Sequence, residues 1–217
     1  MRERPRSSDG DGRLYTSFPS PVRVTLKKMK RVLLAASLAI CLTASSFAQQ
    51  LPRPAGTWSA QTVDHKVLKL DQFKGKFVVL AFLLTTCPHC QKFTGVLSQI
   101  QQEYASKGVQ VLGATIDQTG TVALADFVQR FSPGFPIGAM ENAQLYTFGQ
   151  YGMQQHTYMP MVYFIDRAGM VQAQFMGSDP FFAEGDPATK LRSTLNRLLA
   201  PGATSTAKKA PSAAAKK

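Results

Sequence analysis

Cysteine and histidine are scarce in this sequence, which has three residues of each type among 217. A structural zinc site normally takes four Cys or His ligands, arranged in closely spaced pairs. Cys87 and Cys90 form one such pair, but the sequence has no second CxxC and no HxxxH pattern. We therefore expect no bound metal, and the close pair of thiols needs another explanation.

The sequence also lacks an apolar run long enough for a transmembrane helix, since the longest N-terminal stretch is only 32–42. Lys30 and Arg31, directly after Met29, precede this stretch, and Ser46 and Ala48 are small residues at the positions that a signal peptidase reads. We therefore expect residues 29–48 to be a secretory signal peptide and residues 1–28 to be a non-native N-terminal extension. A cytoplasmic tail followed by a signal anchor is the alternative.

Cys41 does not fit a lipoprotein signal, because Ile40 stands where such signals have a small residue. We expect Cys41 to be removed with the signal peptide, so that the mature chain keeps two thiols. Export by this signal predicts a periplasmic protein. A pair of thiols in that oxidising compartment is expected to work as a disulfide couple.

Acidic residues are few: 13 Asp and Glu stand against 25 Lys and Arg, which gives a net charge of +12. Residues 1–48 carry nine of the basic and three of the acidic residues, so that +6 remains for residues 49–217. Four lysines lie in the tail 201–217, which is rich in Ala and Lys and is expected to be disordered. The domain 49–200 is therefore nearly neutral. Its charge gives no support for nucleic-acid binding, and the basic tail allows at most a peripheral membrane contact.

The motif Cys87-Pro88-His89-Cys90 follows an apolar run, 77–84, that is typical of a strand covered on both faces. An apolar-periodic helix comes next, which places Cys87 at a helix N-terminus, where free N–H groups and the macrodipole favour a thiolate. Pro88 suits the first helical turn, and a protonated His89 adds positive charge near the sulfur. We expect Cys87 to be the nucleophile and Cys90 the resolving thiol. A purely structural disulfide is the alternative, although so short a loop would remove little chain entropy.

Strand and helix patterns alternate along the domain and predict an α/β fold. A hairpin comes before the central strand, and the helix that carries the thiols leads to a second buried strand. These two strands are expected to be parallel and to be joined by a right-handed crossover. Strands are predicted at 58–63, 67–70, 77–84, 109–116, 135–139, 161–165 and 170–176, and helices at 88–107, 122–131, 142–151 and from 186 onwards.

This order of elements, with a CxxC after the central strand and Pro160 directly before a later strand, resembles the thioredoxin fold. Within that fold the chain resembles the exported TlpA/ResA-like thiol-disulfide oxidoreductases, which are related to the AhpC/TSA group. The resemblance implies a central mixed sheet flanked by helices, with an N-terminal β-hairpin extension. The matching segments are 69–76, 85–90, 108–113, 151–152 and 159–169.

The resemblance also assigns functional roles. It implies that Pro160 is a cis-proline that packs against the CxxC, and that Met159 before it lines the substrate groove. A trans-proline at the start of an edge strand is the alternative. The implied activity is disulfide exchange with protein thiols, such as in cytochrome c maturation, without a cofactor. A membrane thiol-redox partner would restore the redox state of the cysteine pair after each reaction.

The chain departs from this family at the residues before and inside the CxxC motif. Many relatives have tryptophans where this chain has Leu84, Thr85 and Thr86. Thioredoxins have a buried carboxylate six residues before the first cysteine, where this chain has Ala81. Some TlpA-like proteins have a glutamate between the cysteines, where this chain has Pro88 and His89. The motif thus offers no carboxylate as proton carrier for Cys90, and water or His89 would have to serve. Because Pro-His is the dipeptide of DsbA-type oxidases, the redox direction stays open between reductase and oxidase.

Two other functions would use thiols at this place. A thiol-specific peroxidase has a Pro-x-x-x-Thr-x-x-Cys loop, but Leu80 and Leu84 occupy the Pro and Thr positions, so we do not expect this activity. A periplasmic copper(I)-binding chaperone is the remaining alternative, because copper(I) prefers soft ligands. Met153 and Met159 are equally consistent with side chains that line a hydrophobic groove. The candidate copper ligands are Cys87, Cys90, Met153, His156 and Met159.

Overall fold

The computed structural model describes residues 51–152, 154–183 and 186–201. The expectations for the N-terminal extension, the signal peptide, Cys41, Met153 and most of the C-terminal tail fall outside these residues. Within the described ranges, none of the helices has the length and apolar character needed to cross a membrane.

The described strands form one mixed sheet of eight. They are β1 (Arg53–Pro54), β2 (Ser59–Gln61), β3 (Val67–Lys69), β4 (Phe77–Leu83), β5 (Val109–Thr115), β6 (Ile137–Ala139), β7 (Met161–Ile165) and β8 (Met170–Phe175). Their order across the sheet is β1-β8-β7-β4-β5-β6-β2-β3. The central strand β4 is parallel to β5 and antiparallel to β7.

Helices cover both faces of this sheet. They are α1 (Pro88–Tyr104), α2 (Thr121–Phe131), α3 (Asn142–Gly149), the short α4 (Pro180–Ala183) and α5 (Pro187–Leu199), with 3₁₀ turns at Leu70–Phe73 and Ala105–Lys107. The helix α1 continues into the second 3₁₀ turn, which ends at Gly108 in a left-handed conformation with φ = 80°. Glycine adopts this conformation without steric cost, so it ends the helical segment before β5.

All seven residues of β4 are buried, because both faces of the strand are covered. Its side chains alternate between two hydrophobic cores. Every second residue from Phe77 to Leu83 packs with residues of α1, α2 and α5. Every second residue from Val78 to Phe82 packs with residues of α3 and of the β2–β3 hairpin. The continuous apolar run in the sequence therefore reflects a strand with a core on each side.

The predicted α/β architecture, with a mixed sheet flanked by helices and an N-terminal hairpin, is confirmed. The hairpin extends the sheet, because Gln61 in β2 pairs with Ala139 in β6. Sequence patterns missed β1, α4 and the 3₁₀ turn at Leu70–Phe73, which are too short to show a periodicity. The third helix also ends earlier than predicted, at Gly149, where the next residue turns left-handed.

Candidate active site

The two cysteines of the CxxC motif lie at the start of α1, beside the carboxyl end of β4. Cys87 is the N-cap residue, with extended backbone, and Pro88 is the first residue of the helix. Cys87 is half-buried, whereas Cys90 is fully buried and both thiols are free. Pro88 and His89 are exposed. An incoming disulfide can therefore reach Cys87 but not Cys90.

The environment of Cys90 favours the protonated thiol. Burial raises the pKa of Cys90 well above its ordinary value, and the nearby thiol of Cys87 and the charge of Asp117 raise it further. One contact acts in the opposite direction, because the backbone N–H of Leu84 donates a hydrogen bond to Sγ of Cys90 over 3.5 Å. In the resolving role expected from the sequence, Cys90 would lose its proton during the reaction rather than before it.

A hydrogen-bonded turn connects β4 to the thiols. The N–H of Cys87 donates to the carbonyl of Leu84 over 3.2 Å. Thr85 donates twice to Asp117, from its N–H over 3.1 Å and from its hydroxyl over 2.9 Å. Gln91 in α1 donates from Nε2 to the carbonyl of Thr85 over 2.8 Å. The turn is therefore held on one side by Asp117, which follows β5, and on the other side by Gln91 of α1.

The motif-based analysis did not identify Asp117 as part of this site. It lies 32 positions after Thr85 in the chain and follows the carboxyl end of β5. Because β4 and β5 are parallel neighbours, their carboxyl ends meet at the same edge of the sheet. The predicted parallel pairing was therefore the signal that could have placed Asp117 beside the CxxC.

The segment before β7 lies on the other side of β4. The Met159–Pro160 peptide bond is cis, the isomer implied by the family resemblance, and Pro160 is buried. Met159 is half-buried and packs against the same core as Cys87 and Leu84. This location is compatible with a groove beside Cys87, and the groove-lining role of Met159 stays a prediction.

Gly177 supports this segment by close backbone contact. Its N–H donates to the carbonyl of Tyr158 over 2.8 Å. A Cβ at Gly177 would lie 2.6 Å from the carbonyl oxygen of Met159, which is backbone and cannot swing away. We expect Gly177→Ala to displace the segment, to lower the free energy of unfolding by about 1–3 kcal/mol and to slow exchange with protein substrates. Urea denaturation and a disulfide-exchange assay measure the two effects.

Gly95→Ala is the matched control for this substitution. Gly95 lies inside α1, and nothing lies within 4 Å of the position that its Cβ would take. Alanine favours a helix interior over glycine by up to about 1 kcal/mol, so this variant should be as stable as the parent or more stable. Equal denaturation midpoints for Gly177→Ala and the parent would contradict the contact argument.

Candidate metal ligands are only partly brought together. Among the residues that the structure describes, no group of three or more His, Cys, Asp or Glu side chains could hold a metal ion. His156 is exposed, and Met153 is outside the described ranges. Of the copper(I) ligands considered from the sequence, Cys87 and Met159 border the same core, which also contains Cys90.

Comparison with known proteins gives consistent matches. The sequence profile of the AhpC/TSA family matches residues 51–174. The thiol-disulfide oxidoreductase ResA of Bacillus thuringiensis (strain Al Hakam) is 27% identical over 128 residues, which are 59% of this chain and 70% of the relative. ResA of Bacillus anthracis matches with the same identity and coverage.

Solved structures match the fold. A thiol:disulfide interchange protein of the thioredoxin family from Chlorobium tepidum TLS superposes with a TM-score of 0.57 at 22% identity, over 70% of this chain and 100% of that chain. The thioredoxin domain of a thiol-disulfide oxidoreductase from Bacteroides vulgatus gives a TM-score of 0.56 at 16% identity, with the same coverage. At these identities the likeness shows the fold, which is thioredoxin-like.

Proposed function

The chain belongs to the AhpC/TSA family, and we propose that it is an exported protein that exchanges disulfides with protein thiols through Cys87 and Cys90. It is a thiol-disulfide oxidoreductase of the TlpA/ResA-like type. One observation carries the assignment of the two cysteines. A half-buried thiol at a helix N-terminus lies one turn from a fully buried thiol, which accepts a hydrogen bond from the N–H of Leu84, directly after β4.

The two environments suit the two steps of disulfide exchange. The thiolate of Cys87 attacks one sulfur of a substrate disulfide, and the other substrate sulfur leaves with the electron pair. Cys90 then loses its proton, and its thiolate attacks Sγ of Cys87 in the mixed disulfide. The substrate leaves as a dithiol, and the protein keeps the Cys87–Cys90 disulfide. Two electrons have moved to the substrate, and oxidation of a substrate follows the same steps in reverse.

We propose that the chain works in the reducing direction on periplasmic cysteines, such as those of apocytochromes c. The resemblance to TlpA/ResA-like proteins and the signal-peptide pattern at 29–48 support this role. A membrane thiol-redox partner would then re-reduce the disulfide. A DsbA-like oxidase is the second candidate, because His89 is exposed at the start of α1, next to the thiols, and the dipeptide Pro88-His89 is that of such oxidases.

The reduction potential of the Cys87–Cys90 pair decides between these two directions. Equilibration with mixtures of reduced and oxidised glutathione measures this potential. A reductase is expected to have a value below roughly −250 mV, because its disulfide must form easily after it has given its electrons away. A value near about −120 mV would contradict the reductase proposal and assign the protein as an oxidase.

Substitution of His89 tests how strongly the dipeptide Pro88-His89 sets the reduction potential of the Cys87–Cys90 pair. Positive charge beside Cys87 stabilises the reduced, thiolate form, so His89→Ala is expected to make the potential more negative. His65→Asn is the matched control, because His65 is exposed in the β2–β3 turn and has a left-handed φ of 60° that asparagine tolerates. Equal shifts in both variants would show that His89 does not tune the thiols.

A further inference from the structure

Two consecutive backbone N–H groups at the end of β4 reach the two acidic groups of the site. The N–H of Leu84 donates to Sγ of Cys90, and the N–H of Thr85 donates to the carboxylate of Asp117. The hydroxyl of Thr85 donates to the same carboxylate. The two peptide units that carry these donors share the Cα of Leu84, so the anchoring of Thr85 by Asp117 restrains the direction of the N–H that meets the buried sulfur.

We propose that Asp117 is a positioning residue for Cys90: its carboxylate anchors Thr85, keeps the N–H of Leu84 on the sulfur, and places a negative charge near the buried thiol. This inference rests on the proposed dithiol exchange and goes further by naming a residue that controls its second step. Ala81 leaves the strand itself without the carboxylate that thioredoxins have. The carboxylate near the resolving thiol comes instead from the segment that follows the neighbouring strand β5.

The contacts of Asp117 fit this role. Thr85 is buried, so its N–H and hydroxyl need a partner inside the protein, and Asp117 provides it for both. Asp117 forms no ion pair within the described part of the chain, and so its charge is not neutralised by a neighbouring cation. Replacement of Asp117 by alanine would leave these two buried donors unsatisfied, which favours a rearrangement of the turn.

The charges that act on Cys90 come from two elements. Cys87 contributes from α1, and Asp117 contributes from the end of β5; both raise the pKa of Cys90 beyond the effect of burial. His89 is titratable but exposed, and the Met159–Pro160 segment has no titratable side chain. Burial is the main reason that Cys90 is protonated at rest, and the charge of Asp117 adds to this effect. The N–H of Leu84 acts in the opposite direction and stabilises the thiolate as it forms.

The step that Asp117 would control is the attack of Cys90 on a mixed disulfide at Cys87. In this step Cys90 gives its proton to water, its thiolate forms a bond to Sγ of Cys87, and the bond from Cys87 to the outer sulfur breaks. The outer thiolate leaves with the electron pair. The rate should therefore depend on the thiolate fraction of Cys90 and on its orientation.

The reaction of the reduced protein with dithionitrobenzoate separates this step from the first. Cys87 releases one thionitrobenzoate when the mixed disulfide forms, and Cys90 releases the second when it closes the internal disulfide. Stopped-flow absorbance follows both phases as a function of pH. The variants are Asp117→Asn, which keeps an acceptor oxygen but no charge, and Asp117→Ala, which keeps neither. Asp71→Asn removes the same charge from an exposed position in the 3₁₀ turn before β4 and is the control.

We expect the two variants to differ. In Asp117→Asn the rising limb of the second-phase rate should move to lower pH, because a negative charge that opposes the Cys90 thiolate is removed. We expect this phase to be about threefold faster than in the parent at neutral pH. Asp117→Ala should be slower than Asp117→Asn at every pH, because the turn is released. Asp71→Asn should match the parent.

Two results would overturn the inference: a limb for Asp117→Asn that coincides with that of the parent, or rates for Asp117→Ala that coincide with those of Asp117→Asn. Circular dichroism checks that each variant is folded, and Asp117→Asn still tests the charge effect if Asp117→Ala does not fold. Absence of both phases in the parent would instead contradict the proposed dithiol exchange. The failure of this inference and the failure of the proposed function are therefore distinguishable.

Discussion

Cys90→Ser is expected to stop the protein at the mixed disulfide with its substrate and to lower turnover by several orders of magnitude. The first step needs only Cys87, which is half-buried and reachable from solvent. The second step needs a thiol at position 90, since a serine hydroxyl neither attacks a disulfide nor forms one. The fully buried position of Cys90 also keeps external thiols away from the inner face of the adduct.

Mass spectrometry of the unreduced protein measures this trapped species. After incubation with a peptide disulfide, Cys90→Ser should gain the mass of one peptide half, and reductant should remove it. Cys87→Ser is the matched control and should gain nothing, because Cys90 has no access to the peptide. Equal adduct formation by the two variants would contradict the assignment of Cys87 as the nucleophile and Cys90 as the resolving thiol.

The central part of the fold could be predicted because its signals are local. The run 77–84 is continuous in the sequence, and the corresponding strand β4 is buried along its whole length. The strand β1 gave no such signal, because it has two residues and one is a proline. It forms by pairing with β8, and the guanidinium of Arg53 donates to the carbonyl of Phe148 over 3.0 Å. Contacts that lie so far apart in the chain leave no periodicity to detect.

The candidate site likewise contains residues that local motifs predict and residues that only distant contacts bring in. The two cysteines, and the proline at 160, are visible as contiguous motifs next to recognisable strands. Asp117 and Gly177 act on the site through contacts with Thr85 and Met159, which are distant in the chain. Neither residue type is unusual for its position, since an aspartate often follows a strand and a glycine often lies in a loop. Only the packing of the strands gives these two residues a role in the site.

The largest loss of stability is expected from Phe82→Ala. Phe82 is the second-last residue of β4 and is fully buried. The centroid of its ring lies 5.6 Å from that of the Phe148 ring, in a tilted arrangement, and 5.3 Å from that of the Tyr163 ring, in an edge-to-face arrangement. Removal of a buried phenyl ring leaves a cavity that the rigid sheet cannot close, at a cost of about 3–5 kcal/mol. The effect should appear as a lower urea midpoint with an unchanged m-value, and as a melting temperature lower by on the order of 10 °C.

This loss should leave the thiol chemistry of the folded protein intact. Phe82 packs in the core beneath α3, whereas Cys90 belongs to the core on the other face of β4, beneath α1. At a temperature where Phe82→Ala is still folded, both phases of its reaction with dithionitrobenzoate should therefore match those of the parent. Val67→Ala is the control, because Val67 is 52% exposed and its truncation should change stability by less than about 0.5 kcal/mol. If Phe82→Ala were as stable as the parent, the cavity argument would be refuted. If the folded variant reacted more slowly with dithionitrobenzoate than the parent, the two cores would be shown to be coupled through β4.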